Sequence, residues 1–566
     1  MGRQFADPPH RIAARFAKTA TRTGLVGSVL RGDLFGGLKA VVREGIGVGA
    51  VHKLYAATHP ERTALVDTHR RMTYREVDRA IDHLGAVLVR RFGVESGTPV
   101  AIMMENRAEY VVSWFALFRR RAAGVHVSYR ATADELEYQL AHSGARVVIC
   151  SSANRQVAEA VADRRPDWDL VLVDVDAEEH DRQVYGWRPL LRAAARYGQA
   201  PAGPADSEGE TAGGDNIVYT SGTTGQPKGA VRNFAKLGIN DLFRIVERLP
   251  VRAGDRHLVV APIYHSGGQV FTLLNAALGA TIHLLPHFDP AETVEALSEW
   301  RIESVFMVPT MLRRVLNLSD EMLRTHPTPY LRCLISGAAP FPEALRRRAI
   351  QQFGARTIHD FYGATELGWV TLINGREMQA RPGSVGRPIG GYDVRIVDDD
   401  GEECSSGEVG EIYVRSPHTM EGYLQDAEAN DAFQSGEWVT VEDLGYLDEE
   451  GYLYLAGRAR DMVITGGVNV YPVEIEDVLV DHPDVVDAGV VGVADEEWGE
   501  KLVAFVVLEE GAELDGEALA DWAAQRLAGY KVPKDWRAID ELPRNPTGKI
   551  VKRELEEAYS DFAAEA

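Results

Sequence analysis

The stretch TSGTTGQPKGA, which begins at Thr220, constrains the fold more than any other part of the chain. It follows the β-prone run NIVYT and places glycines, hydroxyls and one lysine in a segment with nothing apolar to bury. A Walker loop needs four residues between its glycines and then Lys-Ser/Thr, whereas Gly222 and Gly225 are three apart and a glycine follows Lys228. A flexible linker is the plain alternative. The pattern favours a loop from Thr220 to Gly229 that leaves a strand and wraps a polyphosphate.

Length and charge limit the classes of protein to which the chain can belong. With 566 residues it is too long for a single core, so we expect at least two domains. A formal net charge of -23 argues against a general nucleic-acid binder, which needs a basic surface. The charge does not exclude a protein that binds small anionic ligands, because a few local cations and backbone amides can hold a phosphate on an acidic protein.

The three cysteines, Cys150, Cys333 and Cys404, are far apart and form no CxxC pair. This spacing favours neither a disulfide framework nor a zinc site, and it predicts a cytoplasmic protein. No apolar run approaches the roughly 20 residues that cross a bilayer. The first residues also lack the apolar core of a secretory signal, and Ala6 breaks the myristoylation pattern.

Residues 1–50 differ from the rest and form a predicted N-terminal extension. Its arginine-rich, acid-poor start has the composition of an organelle transit peptide, and equally that of a basic disordered arm. Apolar residues then recur at helical spacing among several glycines: Val26, Leu30, Leu34, Leu38, Val41 and Val42. Because glycines weaken a free-standing helix, we favour a helix docked on the body. Peripheral membrane contact through this segment stays open.

Strand-like and helical segments alternate from residue 52 to about 200, which is typical of α/β layers. The runs YDVRIVDDDGEE, GEIYVRS and GYLYLAGR predict a β-rich part, and the tail switches to a compact α+β pattern near Arg458 to Asp461. We therefore predict a large α/β domain with a β-rich subdomain over 51–459 and a small α+β domain over 460–566.

Six motifs together carry a family resemblance that extends from about residue 52 to 556. They are the loop at Thr220, APIYHSGG (261–268), ISGAAPF (335–341), DFYGATELG (360–368), the long segment 442–476, and PRNPTGKIVKREL (543–555). In this order they resemble the motifs of the ANL adenylate-forming enzymes, and we identify the chain as a member of the acyl-CoA synthetase branch. The resemblance implies ATP, Mg²⁺ and CoA as the reacting cofactors and a carboxylic acid as the substrate.

The resemblance also implies site residues. Tyr362 corresponds to the aromatic residue that stacks on adenine near Asp360, and Asp443, assisted by Arg458, to the carboxylate that grips the ribose. The full set implied to bind ATP and AMP is Thr220, Ser221, Gly222, Thr223, Thr224, Gly225, Lys228, Gly337, Ala338, Ala339, Asp360, Phe361, Tyr362, Gly363, Ala364, Thr365, Asp443 and Arg458.

Three further residues are implied to be catalytic. Glu366 resembles the acidic ligand of Mg²⁺, with Thr220 as its partner on the metal. His265 resembles the histidine bordering the carboxylate site, where we expect positioning more than proton transfer. Lys549 resembles the lysine that contacts the substrate carboxylate and the α-phosphate as they react. A fixed cation there stabilises the transition state more than the ground state.

The resemblance implies a two-step reaction. Adenylation of the acid releases pyrophosphate, and the small domain then swings about a hinge at Arg460, where the family usually has aspartate or lysine. CoA enters beside Gly466 and Gly467 and displaces AMP. Since Gly363 stands where acetate-specific relatives have tryptophan, we expect a larger, hydrophobic acid, with pocket candidates near Phe271, Trp369 and the helix after Asn240.

The acid is either a medium- or long-chain fatty acid or an aromatic or polycyclic acid. The main alternative function is a stand-alone adenylation enzyme that loads the phosphopantetheine of a carrier protein, or an enzyme that performs mainly one half-reaction. Nothing in the sequence favours a light-emitting oxidase. A non-catalytic nucleotide sensor is less favoured, because Lys549 and Glu366 are both present. Monomer and homodimer stay open.

Overall fold

The computed structural model describes residues 9–24, 51–165, 167–173, 184–187, 214–220, 227–234, 239–465, 468–495, 498–544 and 549–565. The described helices are α1 Pro9–Thr23, α2 Val51–Thr58, α3 Tyr74–Phe92, α4 Ala108–Arg120, α5 Ala133–Ser143, α6 Arg155–Arg164, α7 Ile239–Val246, α8 Ser266–Ala277, α9 Pro290–Glu299, α10 Pro309–Leu316, α11 Asp320–Thr325, α12 Glu343–Phe353, α13 Gly375–Ala380, α14 Ala427–Phe433, α15 Pro472–Val480, α16 Gly516–Ala524 and α17 Lys552–Glu565. None of them is both long and apolar enough to cross a membrane.

The described strands are β1 Thr63–Val66, β2 Arg71–Thr73, β3 Pro99–Met103, β4 Ala123–His126, β5 Val147–Cys150, β6 Asp169–Leu172, β7 Val184–Gly186, β8 Asp215–Thr220, β9 Lys228–Asn233, β10 Arg256–Val259, β11 Thr281–Leu284, β12 Ser304–Phe306, β13 Cys333–Gly337, β14 Ile358–Phe361, β15 Gly363–Ala364, β16 Gly368–Trp369, β17 Thr371–Asn374, β18 Ser384–Pro388, β19 Asp393–Val397, β20 Gly410–Arg415, β21 Gly422–Tyr423, β22 Gln434–Ser435, β23 Trp438–Val439, β24 Asp443–Leu447, β25 Leu453–Arg458, β26 Val463–Thr465, β27 Val468–Val470, β28 Val485–Asp495, β29 Gly499–Leu508 and β30 Asp535–Ala538.

The chain divides into two compact units. The first unit contains Met1–Met307, Asn317–Ile335 and Ser416–Ala432, and the second contains Val308–Leu316, Ser336–Arg415 and Phe433–Ala566. The second unit thus includes residues on both sides of the boundary expected near Arg458. The predicted three-part division at 1–50, 51–459 and 460–566 stays a prediction.

Parallel strands connected by helices dominate the first unit. One sheet has the order β21-β9-β8-β4-β3-β5-β6-β7, parallel from β8 to β7 and antiparallel at β9 and β21. A second series runs β2-β1-β11-β10-β12-β13, parallel except for β2. The apolar runs at 99–103 and 147–150 are strands buried in this unit, as their composition predicts.

Local signals fix the helix ends in this unit. Thr73 and Thr132 each cap a helix through a reciprocal capping box, and α3 and α5 end at Gly93 and Gly144 in the left-handed conformation. These are the helices expected from the periodicity of TYREVDRAIDHLGAVLVRRFG and ADELEYQLAHSG. The predicted α/β alternation is therefore confirmed.

A buried polar network anchors β8, the strand that leads to Thr220. The indole N–H of Trp114 donates to Asn216 Oδ1 at 2.6 Å, and His126 Nε2 lies 2.8 Å from the same oxygen. Burial lowers the pKa of His126 to about 4, so the ring is neutral at pH 7. Since buried polar groups are costly unless paired, this network specifies where β8 starts.

The N-terminal segment is not a disordered arm over its described part. Pro9–Thr23 forms α1, whose Thr19, Ala20 and Thr23 are buried. The guanidinium of Arg22 donates to the carbonyl oxygens of Val246 and Leu249 at the end of α7. A basic side chain of α1 thus binds carbonyl groups at and just beyond the C-terminus of α7, where a cation is favourable. The helix expected around 26–42 lies outside the described residues.

The second unit is mainly antiparallel. Its larger sheet runs β14-β17-β18-β25-β24-β20-β23-β22, with β19 pairing β20, and its smaller sheet runs β27-β26-β29-β28, with β30 parallel to β29. Apolar side chains of α15, β28, β29 and α16 form one core of this unit. The predicted β-rich part and the predicted α+β tail are both confirmed in type.

Candidate active site

The glycine-rich segment connects two antiparallel strands. Thr220 ends β8 and pairs with Lys228, the first residue of β9. The loop was predicted to run from Thr220 to Gly229. In the structure it ends earlier, because Lys228 and Gly229 are paired with residues of β8. The central candidates Ser221, Gly222, Thr223, Thr224 and Gly225 lie outside the described residues.

Lys228, the cation expected to hold phosphate, forms an ion pair in this structure. Its Nζ lies 3.2 Å from Oδ2 of Asp426 and 5.4 Å from the centroid of the Tyr423 ring. Both charged side chains keep solvent exposure, 23% for Lys228 and 32% for Asp426. Exposed pairs contribute little net free energy, so a phosphate can compete for the ammonium.

His265 immediately precedes α8 in the first unit. Its ring centroid lies 4.1 Å from that of Tyr264, which in turn lies 5.6 Å from Tyr129. Phe271, a pocket candidate on α8, is buried and stacks on Phe306 with centroids 4.6 Å apart. In this structure Phe271 therefore packs in the core, and its role as a pocket wall stays a prediction.

The segment Gly337 to Pro340 has an unusual backbone. Ala338 has φ +66, in the left-handed region that disfavours side chains, and Gly337 has φ +149. A Cβ at Gly337 would lie 2.5 Å from the Phe361 ring, so only glycine fits there. Strain of this kind is typical of functional sites, and it occurs where the sequence predicts that adenine binds. Ala339 follows it and is half-buried.

Tyr362, Asp443 and Arg458 come together. The Tyr362 hydroxyl donates to Asp443 Oδ2 at 2.7 Å, and Arg458 Nε lies 3.2 Å from Asp443 Oδ1. Asp443 and Arg458 are register partners across β24 and β25. Burial, followed by the Asp443 charge, raises the pKa of Tyr362 well above its ordinary value, so the phenol stays protonated and donates.

Lys549 lies in the field of the same residues. Burial, then the nearby Arg458 guanidinium, lowers the pKa of Lys549, while Asp443 and Glu366 oppose the shift. The Glu366 carboxylate also acts on Tyr362 and Arg458. Two carboxylates, two cations and a phenol from three separate motifs of the second unit therefore interact electrostatically.

Arg460 belongs to a 3₁₀ turn over Ala459–Asp461, directly after β25. It is exposed, its Nε lies 3.6 Å from Asp461 Oδ1, and its charge contributes to lowering the pKa of Lys549. Its role as a hinge stays a prediction. Gly466 and Gly467, the candidates for the CoA passage, lie outside the described residues.

Gly363 has a packing role that the sequence did not predict. It pairs with Trp369 across β15 and β16, and a Cβ on it would lie 2.1 Å from the Gly368 carbonyl oxygen. The absence of a side chain at Gly363 is therefore required by the backbone itself. Ala364 ends the same short strand, and Thr365 follows it.

Arg346 was not among the predicted site residues, yet it forms an ion pair with the Asp360 carboxylate. Arg346 Nη2 donates to Asp360 Oδ2 at 2.7 Å, Nη1 donates to the Ser384 carbonyl at 2.8 Å, and the Phe361 N–H donates to Asp360 Oδ1. Burial raises the pKa of Asp360 to about 6 against the opposing charge of Arg346. Both Asp360 oxygens are thus occupied inside the protein. The buried stripe of α12, with Leu345 and Ala349, was the available signal.

Asp477 on α15 was also missed. Burial and then the Glu476 carboxylate raise the pKa of Asp477 to about 7; Asp481 and Glu343 add to the rise, and Arg346 opposes it. The run EIED reads as a solvated acidic face, so nothing in the local sequence distinguishes Asp477. Two of the charges that act on it, Arg346 and Glu343, belong to α12, which is more than a hundred positions away in sequence.

We expect Asp477→Asn to stabilise the protein, and more so at high pH. Below pH 4 the carboxyl is protonated in both the folded and the unfolded state and contributes nothing. As pH rises towards 7 only the unfolded state loses the proton, so the wild type loses stability that the variant keeps. The gain in unfolding free energy should be about 1–2 kcal/mol at pH 8, since water reaches the side chain, and about half of that at pH 5.

Denaturant titrations at the two pH values measure this difference. Asp521→Asn, an exposed change on α16, is the control and should give no pH-dependent gain. An equal gain at pH 5 and pH 8 for Asp477→Asn would contradict the proton-linked explanation.

Comparison with known proteins defines the family. The model of the AMP-binding enzyme family matches residues 53–424, and that of its C-terminal domain matches residues 474–549. The chain belongs to the AMP-binding enzyme family. Gly337 and Tyr362 lie within the first matched range, which begins after residue 52, and Lys549 is the last residue of the second.

Two relatives and one solved structure show the branch. The chain is 32% identical over 522 residues to a long-chain-fatty-acid–CoA ligase of Mycobacterium tuberculosis, covering 91% of this chain and 98% of the relative. It is 33% identical over 521 residues to a feruloyl-CoA synthase of Amycolatopsis, covering 91% and 99%. An o-succinylbenzoate CoA synthetase of Bacillus subtilis in complex with its acyl-adenylate has a TM-score of 0.75 at 28% identity, covering 89% and 97%.

These matches confirm the predicted family branch, the fold class and the enzyme class. This AMP-binding enzyme is an AMP-forming acid–thiol ligase of the acyl-CoA synthetase branch. ATP and CoA are the cosubstrates of the family. The individual residue roles stay predictions.

Proposed function

We propose that the chain is an ATP-dependent acyl-CoA ligase for a hydrophobic carboxylic acid. The observation that carries this proposal is the grouping of Lys549 with Asp443, Arg458, Tyr362 and Glu366. Such a group offers carboxylates for sugar hydroxyls and a hard cation, an aromatic face for a base, and an ammonium for an oxyanion. It has the functional groups needed to hold a nucleotide at the phosphate that reacts.

In the first half-reaction, a carboxylate oxygen of the acid attacks the α-phosphorus of ATP. An acyl–phosphate bond forms, the bond to the β-phosphate oxygen breaks, and pyrophosphate leaves. The Lys549 ammonium stabilises the negative charge that accumulates on the α-phosphate. Asp443 accepts hydrogen bonds from the ribose hydroxyls, and Tyr362 packs against adenine. Adenylation turns a poor oxygen leaving group into AMP.

Glu366 and Thr220 are our proposed ligands for Mg²⁺. A carboxylate, a hydroxyl and phosphate oxygens form the hard donor set that this ion prefers. The carboxylate of Glu366 fits because it lies near enough to Lys549 and Arg458 to affect the pKa of both. When bound, the ion would neutralise charge on the phosphates of ATP.

In the second half-reaction, the CoA thiol attacks the acyl carbon and AMP leaves with the electron pair of the broken bond, giving a thioester. We propose that residues after Arg460 move so that Lys549 withdraws and the Gly466-Gly467 segment faces the acyl group. Small residues there would let the narrow pantetheine arm pass. Cys150, Cys333 and Cys404 form no disulfide bond with one another, and we propose that the enzyme acts in the cytoplasm.

The acid that we propose is larger than acetate and apolar. The relatives named above are a long-chain-fatty-acid ligase and a feruloyl-CoA synthase, so both a fatty acid and an aromatic acid are candidates. Near the predicted acyl path, the Trp369 ring lies 5.1 Å from the Phe361 ring and its N–H donates to the Thr371 carbonyl. These rings supply apolar surface without an unpaired polar group.

A panel of acids tests the proposal. Acetate, octanoate, palmitate, benzoate and ferulate are each incubated with Mg-ATP and CoA, and acyl-AMP and acyl-CoA are measured by mass spectrometry. We expect thioester from at least one of the four larger acids and none from acetate. A parallel arm replaces CoA with a phosphopantetheinylated carrier protein. Acyl-AMP that transfers only to the carrier would contradict the CoA assignment.

A further inference from the structure

A half-buried ion pair joins α10 to the start of β28 in the second unit. Arg313 Nη1 lies 3.1 Å from Asp487 Oδ1 and donates to the Val486 carbonyl oxygen at 2.9 Å. The two side chains are only 16% and 17% exposed. Because little water reaches the pair, its attraction is screened less than that of a surface pair.

The second oxygen of Asp487 connects this pair to the segment that carries Lys549. Arg544 Nη2 donates to Asp487 Oδ2. Arg544 also forms an isolated antiparallel bridge with Ile550, the residue after Lys549, and the Val551 N–H donates to the Pro543 carbonyl at 2.8 Å. Arg544 is therefore paired with the residue that directly follows Lys549.

We propose that Arg313, Asp487 and Arg544 form a latch that holds Lys549 in its position for adenylation. Arg313 is then a positioning residue, since it acts on Lys549 through Asp487 and Arg544. The inference rests on the proposed role of Lys549. The latch determines which of the two half-reactions the enzyme is ready to catalyse.

Chain order explains why the latch would depend on conformation. Arg313 precedes the proposed hinge at Arg460, whereas Asp487 and Arg544 both follow it. Rotation about the hinge would separate Arg313 from Asp487 and leave Asp487 with Arg544. The Arg313–Asp487 contact thus stabilises only the arrangement in which Lys549 faces Asp443 and Arg458.

A second ion pair spans the hinge but is unsuited to this role. Arg347 Nη2 lies 3.2 Å from Asp481 Oδ2, yet the Arg347 side chain is 58% exposed. Exposed pairs are weak because solvent and salt screen them. Because Arg313 is more buried than Arg347, we expect the loss of Arg313 to have the larger effect on adenylation.

The test measures the rate of each half-reaction separately in the Arg313→Ala variant. Acid-dependent ATP–pyrophosphate exchange should fall by about 3- to 20-fold, which lies within the range typical of coupled neighbouring groups. Thioester formation from a supplied acyl-adenylate should stay at the wild-type rate or rise, with an unchanged melting curve. The control is Arg356→Ala, an exposed arginine of the same unit, which should leave both rates unchanged.

A double-mutant cycle and a probe independent of activity complete the test. Arg313→Ala combined with Asp487→Ala should slow exchange no more than Asp487→Ala alone, because each change breaks the same contact. Trypsin should cleave after the exposed Arg460 faster in Arg313→Ala than in the wild type, without any substrate. Equal loss of both half-reactions, or unchanged exchange and cleavage, would overturn the latch. A wild type that catalyses no exchange with any acid would instead refute the proposed function, and the cleavage assay would still decide the latch.

Discussion

Replacing Lys549 with alanine is expected to lower the rate of adenylation by about 10²–10³-fold, the loss seen when one transition-state donor is removed. The ammonium lies near Arg458, Asp443 and Glu366, as their effects on its pKa show. It acts on charge that develops only as carboxylate and phosphate react, so ATP binding should weaken much less. Acid-dependent pyrophosphate exchange measures the step directly.

The second half-reaction supplies the control for Lys549→Ala. Thioester formation from pre-formed acyl-adenylate should be largely retained, because the lysine is proposed to withdraw before CoA attacks. Lys552→Ala gives a matched change on the same segment, since Lys552 binds Glu476 and the Val490 carbonyl instead. If Lys549→Ala slows both half-reactions alike while its melting curve is unchanged, the division of roles is wrong.

Arg346→Ala should destabilise the protein by about 3–5 kcal/mol, as is typical when a buried ion pair loses one partner. The substitution leaves the Asp360 carboxylate buried without its cation, and it removes the donor to the Ser384 carbonyl. Protonation of Asp360 removes part of the free-energy cost of burying an unpaired carboxylate. The loss should therefore be smaller at pH 5 than at pH 8.

Denaturant unfolding of three variants checks the cause. Arg347→Ala, the exposed neighbour on α12, should change the unfolding free energy by less than about 0.5 kcal/mol. Arg346→Ala combined with Asp360→Asn should recover part of the loss, because no buried charge then remains unpaired. A double variant no more stable than Arg346→Ala would show that the cost arises from packing rather than charge.

The sequence predicted the parts of the site that local motifs specify. The strand that ends at Arg458 was expected from the run GYLYLAGR, and the resemblance of short motifs implied nucleotide-binding roles for Asp443 and Gly337. The structure adds that Asp443 and Arg458 are cross-strand partners and that Ala338 is in the left-handed region. The residues of each motif are close together in sequence, so one amino-acid sequence is enough to predict the motif.

Contacts between distant segments could not be predicted in this way. Arg346 is the first of three consecutive arginines, and only the packing of α12 selects it for burial over the other two. Asp487 likewise owes its partners to α10 and to the Lys549 segment, which approach it from opposite directions in sequence. Periodicity identifies a buried face, but it does not identify the group that the face meets.

The docking of α1 has a consequence for how the chain folds during synthesis. Arg22 binds carbonyl groups of residues 224 and 227 positions later. At about 5–20 residues per second, a ribosome needs roughly 10–45 s to make that intervening chain. During this interval α1 has no partner, while β3, β4 and β5 can already pair with one another. Helix α1 is therefore synthesised before these strands and yet docks after they can begin to pair.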